Sequence, residues 1–166
     1  MGTLQNRDCS IFYTIATACA DLDIQLVLSL GDGLTPEALP NLDGIPIVVD
    51  YAPQLELLKR ATLTITHAGL NTTLEALSYG VPMVAIPITD DQPAVAARIV
   101  WTGAGELIPL RDLNADSLRE KISQVLSNPS YRLNAAKVQD VIARTQGVKD
   151  ALDIIERAFA SGPCNI

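Results

Sequence analysis

TITHAGLNTTLEAL, residues 64–77, contains the only histidine of the chain. It sits where a short apolar run gives way to a helical pattern. Thr64 to Thr66 suit the end of a strand, and Gly69 lets the backbone approach a ligand closely. Asn71, Thr72 and Thr73 are residue types that cap helices, with Glu75 expected in the first turn. Exposed amides at a helix start favour an anion, and a histidine at the strand tip could donate a hydrogen bond to the same anion. The competing reading is a capped helix with His67 packed beside it. This segment alone leaves both open.

Outward from this stretch, short apolar runs alternate with helical patterns. Strands are expected over 24–31, 45–50, 63–66, 82–87 and 105–110. Helices are expected over 11–22 (capped by Asp8 or Ser10), 53–61, 71–80, 91–103, 114–128, 130–145 and 148–160. Residues 32–44, rich in Gly, Pro, Asp and Asn, read as a loop. Such alternation implies an α/β fold with a Rossmann-like, doubly wound parallel sheet covered on both faces. Ligands of such sheets bind beyond the C-terminal strand ends. The expected domain is 1–160, followed by a tail over 161–166. A doubly wound domain normally opens with a strand, and none precedes the first helix. Gly2 and Thr3 therefore read as the end of a strand whose body is absent, and the chain as part of a longer design. The stripe Val148, Leu152, Ile155 and Phe159 is expected to pack into the core, with an exposed docking patch as the alternative.

The 166 residues suit one domain. Apolar residues make up 48% and aromatic ones 4%, so the core should be mainly Leu, Ile, Val and Ala. The net charge of −7 argues against a broad nucleic-acid surface, but a helix start can still hold one phosphate-bearing ligand. Cys9, Cys19 and Cys164 form no Cys-x-x-Cys pair, and one histidine cannot complete a usual zinc set. Reduced thiols and a cytoplasmic protein are the expectation. No apolar run approaches the roughly 20 residues of a membrane span, and residues 1–10 do not read as a signal peptide.

The other strand ends add polar candidates. Tyr51 could stack on a base, and Gln54 could hydrogen-bond a ribose or base edge. The alternative is a core tyrosine and a solvated glutamine. Asp91 and Gln92 could accept from or donate to sugar hydroxyls, as Glu75 could for a ribose. Asp91 could equally be an N-cap. Neither a Gly-x-Gly-x-x-Gly nor a Gly-Lys-Ser/Thr loop is present, and no Ser-His-Asp arrangement is evident.

The run YAPQLELL (51–58) followed by THAGLNTTLEALSYGVPMVAIPITDDQP (66–93) resembles the donor-binding signature of UDP-dependent glycosyltransferases. In plant members the signature is Trp-x-Pro-Gln, then Thr-His-x-Gly-Trp-Asn-Ser-x-x-Glu, then Gly-Val-Pro, then Asp/Glu-Gln. The likeness extends over nearly the whole chain. GTLQN (2–6), TITHAGLNT (64–72) and DDQPAVAARIV (90–100) look especially similar to bacterial carotenoid (zeaxanthin-type) glucosyltransferases, and next to macrolide glycosyltransferases. The resemblance implies one half, the C-terminal domain, of a two-domain GT-B fold.

It also implies roles. Tyr51 would stack on uracil, Gln54 and Glu75 would contact the ribose, and His67, Gly69, Asn71 and Thr72 would hold the diphosphate. Gly2 and Thr3 match a loop that also approaches it, and Asp91 and Gln92 would contact the transferred sugar. Tyr51 and Leu70 replace tryptophans of the plant pattern, and the spacing from Gln54 to His67 follows bacterial members. The family's acceptor domain, which supplies the catalytic histidine, has no counterpart here, so no residue is assigned as the base.

The lead expectation is the donor half of an inverting hexosyltransferase acting on a small lipophilic, carotenoid-like alcohol. Alone it should bind UDP without turnover, with no metal or cofactor beyond the UDP-sugar. Its partner would be an N-terminal acceptor domain or a separate acceptor subunit. A lipid acceptor would place it at a membrane surface. Alternatives are the donor subunit of a two-chain transferase, a non-catalytic nucleotide-binding module, a product without function, and a sugar-nucleotide epimerase half lacking its acid–base residues. A second copy could cover the cleft face as a homodimer.

Overall fold

The computed structural model describes residues 8–31 and 34–160. Gly2, Thr3, Cys164 and the tail over 161–166 lie outside them. The element order is α1 (Cys9–Cys19), β1 (Val27–Ser29), a 3-10 turn (Pro36–Ala38), β2 (Ile47–Val49), α2 (Gln54–Leu58), β3 (Thr64–Thr66), α3 (Leu70–Ser78), β4 (Met83–Ala85), α4 (Gln92–Trp101) and β5 (Gly105–Leu107). A second 3-10 turn (Leu110–Asp112) leads to α5 (Ala115–Ser127), α6 (Pro129–Arg144) and α7 (Gly147–Ala160).

Every expected strand and helix is present, in the expected order. The strands are shorter than their apolar runs. Leu30, Ile86 and Ile108, each just beyond its ladder, stay buried. Hydrophobicity alone therefore overstates strand length. Of the two expected caps for α1, Asp8 takes the position: its carboxylate accepts from the Ser10 N–H at 2.9 Å.

β4 organises the core. Met83, Val84 and Ala85 are all fully buried, and successive side chains leave a strand on opposite faces. Val84 joins Phe12, Ile15, Leu28, Leu118 and Ile122 on one face. Met83 and Ala85 join Leu77, Val81, Ala96, Ile99 and Ala135 on the other. α1 and α5 thus cover one face, and α3, α4 and α6 the other. Truncating the buried Phe12 to alanine would cost about 3–5 kcal/mol. Gly105 is required by packing: a Cβ there would collide with the Met83 carbonyl.

Polar groups hold the helices in place. Arg119 of α5 donates to the Thr17 carbonyl at 2.8 Å and to the Ala18 carbonyl at 3.2 Å, satisfying acceptors that the end of α1 leaves open. Glu106 of β5 accepts from Lys121 at 2.9 Å and from the Tyr131 hydroxyl at 2.5 Å. Burial pushes its carboxyl up, but these hydrogen bonds outweigh burial and leave it below its ordinary value. Cys9 and Cys19 are free thiols, and burial pushes Cys19 up to about 11, which makes it unreactive.

Among the described residues the strands pair in parallel as β1–β2 and β3–β4–β5, in keeping with the expected parallel α/β fold. No strand among the described residues bridges β1 and β3. One expectation needs correction. The stripe Val148, Leu152, Ile155 and Phe159 is not core: α7 has no buried residue, and Val148 and Phe159 are 90% and 84% exposed. The helix is amphipathic, but no described element covers its apolar side. No helix among the described residues is long and apolar enough to cross a membrane.

Candidate functional site

In a doubly wound fold the strand ends gather on one side. β2 ends toward Tyr51, β3 toward His67 and β4 toward Asp91. The turn after β3 is tight. Ala68 is buried in the left-handed region at φ 64°, and its N–H donates to the Thr66 hydroxyl at 3.1 Å. Left-handed backbone at a non-glycine residue is costly, and it concentrates at functional sites. Nothing in the sequence pattern had marked Ala68.

Gly69 follows in an extended conformation, φ −60° and ψ 136°. Its glycine identity serves space rather than backbone freedom. A Cβ at position 69 would lie 2.5 Å from His67 Nε2 and 3.0 Å from Cε1. The imidazole therefore lies against the bare Cα of Gly69. It is half-buried, and that burial, more than any other influence, holds its pKa below the ordinary value. The Asp91 carboxylate pulls the other way. Near neutral pH the ring is uncharged, with one N–H to donate.

α3 begins at Leu70 with Gly69 as its N-cap, and no side chain caps it. Asn71 and Thr72 therefore lie inside the first turn instead of serving as caps. The first amides of α3 have no side-chain acceptor, which suits an anion. Thr73 is buried, with its hydroxyl unpartnered. The earlier start also places Glu75 beyond the first turn. Its carboxylate accepts a hydrogen bond from the Gln54 side-chain amide at the start of α2. The two residues assigned to one ribose thus meet, although 21 positions separate them.

Asp91 and Gln92 part company. Gln92 is buried, and its side-chain oxygen accepts from the Ile88 N–H at 2.8 Å and the Thr89 N–H at 3.1 Å. It holds the loop after β4 in shape. That loop carries a second left-handed residue, Asp90 at φ 57°. Asp91 is exposed at the start of α4, and its side chain makes no capping bond. The N-cap alternative is therefore met by position but not by hydrogen bonding. Tyr51 is 77% exposed, so its ring is unshielded. It is no core tyrosine.

A cavity of about 620 Å³ opens between the two sheets, and at one end it is lined by Gln54, His67 and Thr72. The structure thus brings His67, Gly69, Asn71 and Thr72 together in one turn, joins Gln54 to Glu75, and sets Asp91 within electrostatic reach of His67. The arrangement offers backbone amides and a neutral N–H donor for an anion, with the carboxylates of Glu75 and Asp91 nearby.

A family model described as UDP-glucoronosyl and UDP-glucosyl transferase matches residues 5–154. This chain belongs to that family. It is 37% identical to the uncharacterized UDP-glucosyltransferase YojK of Bacillus subtilis (strain 168), over 95% of this chain and 39% of the relative. It is also 37% identical to the zeaxanthin glucosyltransferase of Pantoea ananas, over 98% of this chain and 38% of the relative. Among solved structures it superposes on the glycosyltransferase of kitacinnamycin with a TM-score of 0.85 at 30% identity, covering 95% of this chain and 41% of that one. The calicheamicin glycosyltransferase CalG4 gives a TM-score of 0.86 at 25% identity, covering 98% and 43%. The chain therefore spans about 40% of the length of the relatives it matches. Its mixed α/β fold with parallel sheets corresponds to one half of the GT-B architecture.

Proposed function

We propose that this chain is the donor-binding, C-terminal half of an inverting glycosyltransferase, holding the UDP of a UDP-hexose across the strand ends. The observation that carries this reading is the uncapped start of α3 beside a half-buried, neutral His67. Backbone amides at a helix start and one imidazole N–H can hold a diphosphate by hydrogen bonds without a metal. Support for the donor class comes from the family match. The glycosyltransferase VinC, solved in complex with dTDP, is also similar to this chain at 26% identity.

In this reading His67, Gly69, Asn71 and Thr72 hold the diphosphate, with Gly2 and Thr3 approaching from residues outside those described. Tyr51 stacks on uracil. Glu75, positioned by Gln54, accepts from the ribose hydroxyls. Asp91 accepts from the sugar, and Gln92 fixes the loop that presents it. His67 serves the donor, so no residue of the 166 is assigned as the base that deprotonates the acceptor. Acceptor binding and the base would come from an acceptor domain or subunit. The acceptor class is a small lipophilic alcohol of the carotenoid kind, supported by the two zeaxanthin glucosyltransferases at 37% and 36% identity.

Calorimetric titration with UDP tests this, with dTDP and ADP as comparators. Binding of UDP over ADP, lost in His67→Ala, is the expected result. No UDP binding at millimolar concentration, or equal binding of ADP, would overturn the assignment. Measurable transfer from a UDP-sugar by the isolated chain would overturn the division of labour.

A further inference from the structure

Two threonines beside the candidate site are buried, and their hydroxyls differ. That of Thr73 has no partner, whereas that of Thr66 accepts from the Ala68 N–H at 3.1 Å. Thr66 is the last residue of β3 and 2% exposed. Its carbonyl accepts from the Ile86 N–H at 2.7 Å, so the residue after β4 ties down its backbone. A β-branched residue suits a strand. A hydroxyl that accepts from the amide two positions on suits a turn. Thr66 meets both demands at the point where the strand becomes the turn.

The hydroxyl acts on the strained residue. Ala68 is fully buried at φ 64°, a conformation that alanine keeps only where its surroundings impose it. Two restraints impose it here. One is burial of Ala68 in the cluster that holds Leu77, Met83 and Ala85. The other is the bond from its amide to Thr66. With Ala68 turned inward, the residues on either side of it face one another, and the His67 ring lies against the bare Cα of Gly69. Without the hydroxyl, the Ala68 amide would be buried and unpaired. The turn would then relax toward the backbone conformations ordinary for alanine, and the ring would leave its place on Gly69.

We infer that Thr66 is a positioning residue for donor binding: its hydroxyl holds Ala68 in the left-handed turn and thereby aims the His67 imidazole at the diphosphate. This role rests on the donor-site reading above. Thr66 is itself too buried to touch the ligand, so it acts through His67 alone.

The test uses two variants of the full chain. Thr66→Val keeps the shape of the side chain and removes the acceptor, and Thr66→Ser keeps the acceptor. The single imidazole is followed by NMR titration without nucleotide, and UDP and inorganic diphosphate are titrated by calorimetry. In Thr66→Val the imidazole signals should move, and the pKa that burial holds low should rise toward 6.5. UDP and diphosphate should each bind about tenfold more weakly or worse. Thr66→Ser should keep the imidazole pKa and hold both affinities within about threefold of the unaltered chain. A Thr66→Val chain that melts earlier but keeps its imidazole signals and affinities would overturn the inference, because the hydroxyl would then serve the fold alone. A serine variant as impaired as the valine variant would overturn it too. Should Thr66→Val fail to fold, hydrogen exchange at the Ala68 amide of the unaltered chain decides: protection like that of ladder amides supports the inference, and exchange as fast as at exposed amides overturns it. An unaltered chain that binds no UDP would overturn the donor-site reading instead, and the imidazole signals would then decide whether Thr66 holds His67.

Discussion

Gly69 and His67 share one space: a Cβ on the first would lie 2.5 Å from Nε2 of the second. The Gly69 backbone is extended, so alanine fits its dihedrals, and the imidazole rather than the main chain must move. Gly69→Ala should therefore fold with little loss of stability but weaken UDP binding about five- to a hundredfold, the loss of a hydrogen bond to a charged group. Calorimetry and a melting curve separate the two effects. A melting point lowered by more than about 5 °C would mean that the backbone, not the ring, gave way.

His67→Ala should weaken UDP binding by about 1–3 kcal/mol. If Gly69 acts only by making room for the ring, the double variant should bind like His67→Ala alone. Additive losses would show that position 69 has a role of its own.

The chain's stability should depend on this one imidazole near pH 6. Burial holds native His67 below its ordinary 6.5, so just below 6.5 the unfolded chain carries a proton that the native chain does not. Stability therefore falls as pH drops through that window and levels off above it. Urea unfolding across pH 5–7.5 should show this slope, and His67→Gln should remove it. Diphosphate favours the charged ring, so UDP should raise the imidazole's pKa and bind more tightly as pH falls toward 6. NMR titration of the single imidazole reads both shifts directly.

Glu75→Ala should weaken UDP while leaving inorganic diphosphate nearly unaffected, because the proposed site gives Glu75, held by Gln54, to the ribose hydroxyls. Parallel losses for both ligands would move Glu75 out of that role.

Gln92→Ala removes the acceptor for two backbone donors, Ile88 N–H and Thr89 N–H. A cost of about 1–3 kcal/mol is expected, read as a melting point lowered by roughly 3–10 °C. An unchanged melting point would show that water replaces the side-chain oxygen.

The order of elements was legible because alternating apolar runs and helical patterns leave few arrangements open. The residues of the turn after β3 were legible too, since histidine, glycine and capping types fall together there. Three features were not. Gly69 reads as room for a ligand, and the sequence gives no sign that it also makes room for the imidazole two positions away. Gln92 reads as a sugar contact, and the sequence gives no sign that its side-chain oxygen also accepts from two amides of the folded loop after β4. Gln54 and Glu75 meet through the packing of α2 on α3, which no local pattern encodes.

Glu106 makes three elements answer to one proton. Despite its burial, hydrogen bonds from Lys121 of α5 and Tyr131 of α6 hold its carboxyl below the ordinary value. Acid strong enough to protonate it would weaken both anchors together, so α5 and α6 would loosen from β5 as a pair.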